Sequence, residues 1–228
     1  MKILFFAAVY EYGGVSKVIK NILDNFDRKS FEIVFLVERL ALRHQSLPKD
    51  VKLINIDLKP ARGLFKLINI CRHLYGIRKI IISEKPDAIV GFSFSVNWQL
   101  ILTSLRPVKN RPKIIFCEYS EQFFVKQRLI KGIFKDGILR CIYKMIMFFL
   151  YHKADAIICV SNTTKEDLDE FFPCAAKKKK KKIYWGPSIA GWQYDENIKR
   201  KLGIVSPFFV HITGYSRYKN TDIVIEAF

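Results

Sequence analysis

The sequence lacks most of the short signatures that announce a chemistry. It has no Walker-type phosphate loop and no G-x-S-x-G nucleophile elbow. Its four histidines, His44, His73, His152 and His211, fall at no metal-ligand spacing. Its five cysteines, Cys71, Cys117, Cys141, Cys159 and Cys174, are odd in number and fit no metal motif. They read as buried free thiols of a reducing cytosol. No apolar run approaches the roughly 18 residues of a membrane span. The opening Met1–Phe6 lacks the length and cleavage site of a signal peptide and reads as a first core strand. There is no internal repeat. Acidic residues are few, 21 against 39 Lys and Arg, which leaves a formal charge of +18. That excess points to polyanionic neighbours: acidic lipid, nucleic acid or phosphorylated substrates. Charge alone does not choose among them.

What is present is an alternation of strand and helix patterns. Half of the 228 residues are hydrophobic, enough for a sizeable core. Lys2–Val9 is a continuous apolar run, as in a strand buried on both faces. Val15, Val18, Ile19, Ile22, Leu23 and Phe26 then recur at helical spacing. Strands are expected at 31–37, 51–56, 88–90, 113–117 and 156–160, and helices at 64–83, 96–105 and 129–153. Ser161 or Thr163 caps a further helix reaching Phe171, with Glu166 placed for a capping box behind Thr163. This order predicts an α/β fold: a doubly wound, mainly parallel, Rossmann-like sheet over residues 1–172.

The sheet is expected to end near Phe172. Lys177–Lys182 is a run of six lysines, which predicts an exposed linker over 173–206. Phe208–Phe228 reads as a strand, a basic loop and the opening of a helix, the truncated start of a second Rossmann-like domain over 207–228.

Five stretches could carry chemistry. Gly13 and Gly14 follow the first strand, where glycines let a ligand approach the backbone at a helix N-terminus; a plain βα turn is the structural alternative. Gly91–Asn97, with Ser93 and Asn97, sits at the C-terminal end of a strand, where open α/β sheets bind ligands. A cap by Ser95 with Phe92 and Phe94 in the core is its alternative. Glu118, just past another strand, is a candidate for proton transfer or for orienting a sugar hydroxyl; a surface carboxylate among many lysines is the other reading. Arg217 and Lys219 precede a helix N-terminus and suit a diphosphate. Finally, Arg128, Lys131, Lys135, Arg140 and Lys144 alternate with apolar residues that include Phe148 and Phe149. Such a basic helix either packs on the sheet or lies on an anionic bilayer.

Taken together, four stretches resemble family 4 of the retaining glycosyltransferases, whose GT-B fold joins two Rossmann-like domains. Gly13-Gly14-Val15 with Val18, Ile22 and Leu23 is similar to that family's Gly-Gly loop and first helix. Lys85-Pro86-Asp87-Ala88-Ile89-Val90 resembles its "K-P-D" strand. Ala154-Asp155-Ala156-Ile157-Ile158-Cys159-Val160-Ser161, with Glu166-Asp167-Leu168, is similar to its "A-D…V-S…D-L" segment. Gly214 to Phe228 resembles the opening of its donor-binding domain. Two positions depart from the pattern: Tyr215 stands where the family usually has arginine, with Arg217 nearby to substitute, and Glu118 stands where many members have histidine.

The resemblance implies a reaction: a sugar passes from a nucleotide-diphosphate sugar to a hydroxyl of a glycan or lipid-linked acceptor, with retention and with no obligatory metal or other cofactor. It implies that Gly13 and Gly14 lie at the cleft, that Glu118, Ser93 and Asn97 line the acceptor side, and that Arg217 and Lys219 hold the diphosphate. The family's glutamate pair belongs to the second domain, so the chain alone is expected to be inactive. The expected location is cytoplasmic, peripheral on the inner face of a membrane. Two other readings are a non-catalytic, membrane-docked half of a split glycosyltransferase that needs a separate donor-domain chain, and a basic nucleic-acid-binding domain. The last is weakened by the absence of any nucleic-acid motif, and no nucleic-acid partner is expected.

Overall fold

The structure is a computed structural model that describes residues 1–11, 13–42, 46–57, 65–104, 111–119, 149, 151–171, 180–185, 195, 197–211 and 221–227. The chain divides into two compact units, Met1–Ser188 and Ile189–Phe228.

In the first unit, seven strands form one sheet: β1 (Lys2–Tyr10), β2 (Glu32–Leu40), β3 (Lys52–Asn55), β4 (Ala88–Phe92), β5 (Lys113–Glu118), β6 (Ala156–Cys159) and β7 (Lys180–Lys182). Their order is β3-β2-β1-β4-β5-β6-β7. Every pairing is parallel. The four helices described with them are α1 (Gly14–Asn25), α2 (Phe65–Glu84), α3 (Phe94–Ser104) and α4 (Asn162–Phe171).

The continuous apolar strands explain the layering. Alternate residues of β1 supply two separate cores. Leu4 and Phe6 pack with Ile77 and Ile81 of α2 and with Val96 and Leu100 of α3. Ile3, Phe5 and Ala7 pack on the other face with Ile19 and Leu23 of α1. Helices on both faces give the doubly wound α/β sheet that the sequence predicts.

At the N-terminal edge two aspartates hold neighbouring strands together. Asp87 accepts the Lys2 amide on Oδ2 at 2.7 Å, and its own backbone N–H and carbonyl bond Lys2 and Lys113. Asp155 accepts the Ile114 amide on Oδ2 at 2.7 Å, and Arg111 closes on the same oxygen at 2.6 Å.

Three expectations change, and one open alternative is decided. The sheet does not end near Phe172, because Lys180–Lys182 pair with β6. A lysine can enter an edge strand when its ammonium finds a carboxylate: the wholly buried Lys180 side chain meets Asp169 of α4 at 2.5 Å, while Lys181 and Lys182 stay exposed. Ser161, not Thr163, caps α4, accepting the Thr164 amide at 3.0 Å. Of the cysteines, Cys117 and Cys159 are buried free thiols, but Cys71 is exposed on α2. In the second unit, Pro207–His211 is not a strand; Phe209 and Val210 are exposed, and no strand among the described residues pairs with them. Among its described residues that unit has two short helices, α5 (Ile198–Lys201) and α6 (Thr221–Glu226), with no buried residue in either.

Most of the basic segment at 128–150 lies outside the described residues; Phe149 is in helix and exposed. Among the described residues, no helix is long and apolar enough to cross a membrane.

Candidate functional site

The strand order reverses direction between β1 and β4. In a parallel sheet the loops leaving such neighbours run to opposite faces, and a crevice opens at their C-terminal ends. A cavity of about 440 Å³ lies there. Its walls are the end of β1, the loop and first turn of α1 with Glu11, Gly13, Gly14 and Ser16, the end of β4 with Phe92 and Ser93, and Tyr119 just past β5.

The α1 side is built around Gly13. It caps the helix in an extended conformation, φ −165° and ψ 168°, and its carbonyl accepts the Lys17 amide at 2.9 Å. Ser16, nearly buried, turns its hydroxyl back to accept the Glu11 amide at 3.2 Å, which fixes the loop. Neither glycine is required by the fold. Gly13 has no left-handed backbone, and an added methyl group would only touch Glu11 at 4.0 Å; at Gly14 it would meet nothing within 4 Å. The unfilled space beside them belongs to the cavity, with free amides of a helix N-terminus at its edge.

The β4 side is strained. Ser93 has φ 106°, a region that serine rarely adopts. Its amide donates to the Cys117 carbonyl at 3.2 Å, tying β4 to β5, and its carbonyl accepts the Val96 and Asn97 amides that begin α3. Residues held this way cluster at functional sites, because only the surroundings maintain them. Burial pushes the Tyr119 phenol up, and a hydrogen bond with Ser93 pulls the other way. Two hydroxyl side chains thus stand together on this wall.

Of the residues expected at the cleft, Gly13, Gly14 and Ser93 come together. Asn97 and Glu118 do not line it. Both are wholly buried beneath the Ser93–Tyr119 wall, where Asn97 Nδ2 and the Tyr151 hydroxyl each donate to Glu118 Oε1 at 2.5 Å. The structure thus corrects the reading of Glu118 as a surface carboxylate: β5 ends with that side chain buried on the face that carries Phe116, bonded to Tyr151 and outside the cavity lining. Burial pushes its carboxyl up to about 7, against the opposing pull of the two hydrogen bonds. Arg217 and Lys219 lie outside the described residues. Glu11, Ser16, Tyr119 and Tyr151 were not singled out from the sequence. Tyr119 adjoins Glu118 in the same post-strand stretch and could have been; nothing in the sequence links Tyr151 to a residue 33 positions away. Among the described residues, no group of three or more metal-ligating side chains occurs.

The profile of Glycosyltransferase Family 4 matches residues 12–180. No curated protein sequence matches the chain. Among solved structures, a sucrose-phosphate synthase from Thermosynechococcus elongatus superposes with a TM-score of 0.65 at 10% identity, over 89% of this chain and 52% of its own. A glycosyltransferase from Rickettsia africae gives 0.55 at 16% identity, over 90% of this chain and 50% of its own. The lipopolysaccharide outer core galactosyltransferase WaaB gives 0.53 at 17% identity, over 81% and 45%. At such identities the likeness is one of fold, and the chain spans about half the length of these proteins.

Proposed function

The chain belongs to Glycosyltransferase Family 4, and from that premise we propose that the cavity between β1 and β4 is the acceptor-side wall of a sugar-transfer site. The reaction is transfer of a sugar from a nucleotide-diphosphate sugar to a hydroxyl of a glycan or lipid-linked acceptor, with the anomeric configuration retained. The observation that carries the reading is the convergence of Gly13, Gly14 and Ser93 on one cavity at the reversal of strand order. In this reading the Gly13–Gly14 backbone lets phosphate oxygens or an acceptor approach the α1 amides closely. Ser93 and Tyr119 orient acceptor hydroxyls, and the Glu11 carboxylate accepts from another. Arg217 and Lys219 hold the diphosphate and offset the negative charge that grows on the leaving group. No metal or cofactor has a part in it. A peripheral site on an anionic membrane is the proposed location. The split-enzyme and nucleic-acid readings have no comparable support.

The test is a titration of the labelled chain, by chemical-shift perturbation, with nucleotide-diphosphate sugars and with short glycans. Resonances of Gly13, Gly14, Ser93 and Tyr119 are expected to move, and Gly14→Val is expected to abolish the effect without unfolding the protein. Silence at all four across the panel overturns the reading.

A further inference from the structure

Beneath the cleft wall lies a polar cluster that the proposed transfer does not use directly. Asn97 Nδ2 and the Tyr151 hydroxyl both donate to one oxygen of Glu118, Oε1. The other halves of the two buried groups are unmatched: Glu118 Oε2 and Asn97 Oδ1 have no hydrogen-bond partner. Both atoms are acceptors when the carboxyl is ionised. A bare carboxylate oxygen and a bare amide oxygen in one buried cluster, with no cation acting on the carboxyl among the described residues, are costly. A single proton on Oε2 would remove the buried charge and turn that oxygen into a donor, and Asn97 Oδ1 is the unmatched acceptor of the side chain already bonded to Oε1.

We propose that Glu118 is held as a neutral carboxylic acid paired with Asn97, and that this pair is the positioning device for the Ser93–Tyr119 wall. The connection is short. Asn97 lies in the turn whose amide bonds the Ser93 carbonyl at 3.0 Å, and Glu118 directly precedes Tyr119. The pair therefore joins α3 to β5 under the two hydroxyl residues that face the cavity, and it helps hold Ser93 at its strained φ of 106°. That this wall serves a substrate rests on the reading proposed above; the protonation state does not.

The surroundings agree with a neutral group. On β5 itself burial pushes the Cys117 thiol up to about 12 and raises the Tyr119 phenol. On β6 burial pushes the Cys159 thiol up to about 11, with any charge on Glu118 adding to the rise, Lys180 and Lys165 opposing and Asp169 reinforcing. The two thiols and the Tyr119 phenol thus carry no charge that would stabilise or oppose an ionised Glu118 in the range in which it titrates. Burial raises the Glu118 carboxyl from 4.5 to about 7. A raised folded-state value means that the proton's contribution to stability is complete below 4.5 and is lost as pH climbs to about 7.

The test is infrared spectroscopy of the 228-residue chain carrying side-chain-carboxyl 13C glutamate, with unfolding midpoints measured across pH. A protonated-carboxyl C=O band is expected well below about pH 7, lost above it, and absent from Glu118→Gln. In that variant the new amide N–H stands where the acid O–H stood, so its stability should match wild type on the acidic side and no longer fall as pH rises. No such band on the acidic side, or a Glu118→Gln protein that unfolds more readily there than wild type, overturns the proposal. If Glu118→Gln does not fold, Tyr151→Phe assigns the band: removing one donor to Oε1 should raise its frequency, and an unmoved band refutes the pairing. A negative sugar titration leaves this band in place, and an absent band leaves sugar binding intact, so the two readings fail separately.

Discussion

Gly91→Ala adds one methyl group to the middle of β4, where the fold has no room for it. The new Cβ would lie 2.2 Å from Asn97 Oδ1 and 2.8 Å from Leu100 Cδ1. Ordinary contacts between such atoms are more than half an ångström longer. The strand cannot yield, because Gly91 is paired on both sides, to Phe6 and to Phe116. The Asn97 and Leu100 side chains must give way instead, and both are fully buried with no open space to turn into. Overpacking of this kind costs about 1–3 kcal/mol. Displacing Asn97 also breaks its 2.5 Å bond to Glu118, and a buried partner left unpaired adds about 1–3 kcal/mol. Losing glycine's backbone freedom in the unfolded chain returns about 0.5–1 kcal/mol. A net loss of roughly 3 kcal/mol is expected, which at about 2–4 °C per kcal/mol for a unit of this size lowers the unfolding midpoint by about 10 °C. Urea unfolding of Gly91→Ala, Asn97→Ala and the double variant gives the assay. Asn97→Ala makes room for the methyl, so the double variant should be less damaged than the sum, with a coupling of about 1–3 kcal/mol. A Gly91→Ala protein within about 0.5 kcal/mol of wild type, or strict additivity with Asn97→Ala, would refute the packing described here.

Gly14→Ala should fold and gain up to about 1 kcal/mol, since the methyl meets nothing and alanine is the better helix former; a clear loss in thermal unfolding would mean that the fold itself requires the glycine. The Lys180–Asp169 pair should respond asymmetrically. Asp169→Ala strands a buried ammonium and should cost about 2–3 kcal/mol, less than a fully buried pair because the Asp169 side chain is 37% exposed. Lys180→Met, which removes the buried charge and keeps its volume, should cost less than about 1 kcal/mol. The reverse order in urea melts contradicts the burial of Lys180.

Much of the fold was legible because its determinants are local. The apolar runs of β1, β2 and β4 and the helical stripe of α1 state their own burial, and the positions of Gly13 and Ser93 at strand ends place them on one edge once the sheet is parallel. What stayed hidden depends on pairs distant in sequence. Lys180 looks like one of six equivalent lysines until Asp169, eleven residues earlier, neutralises it. Glu118 looks like a solvent-facing carboxylate until Asn97 and Tyr151 arrive from other elements to enclose it. The apolar segment at Phe208–Val210 has strand composition, yet composition cannot supply a neighbouring strand. The burial of Glu118 was hidden for the same reason: exposure is a property of the packed chain.

A parallel sheet has no hairpins to keep count of its residues, and Asp87 and Asp155 serve as its zero marks. Each fastens the start of a strand to its neighbour, so a position farther along is set by counting from the clamp. Ser93 lies six residues after Asp87, a span of roughly 20 Å at about 3.3 Å per residue. The strand works as a ruler, with its origin on one side of the domain and its reading taken at the cleft. Inserting a single residue between the two leaves composition, charge and helices untouched, yet it exchanges the faces of every side chain beyond the insertion. Ser93, Asn97 and the turn into α3 would then be misread together. Length in β4 is therefore under tighter constraint than residue identity, and the accuracy of the cleft is decided at the far edge of the sheet.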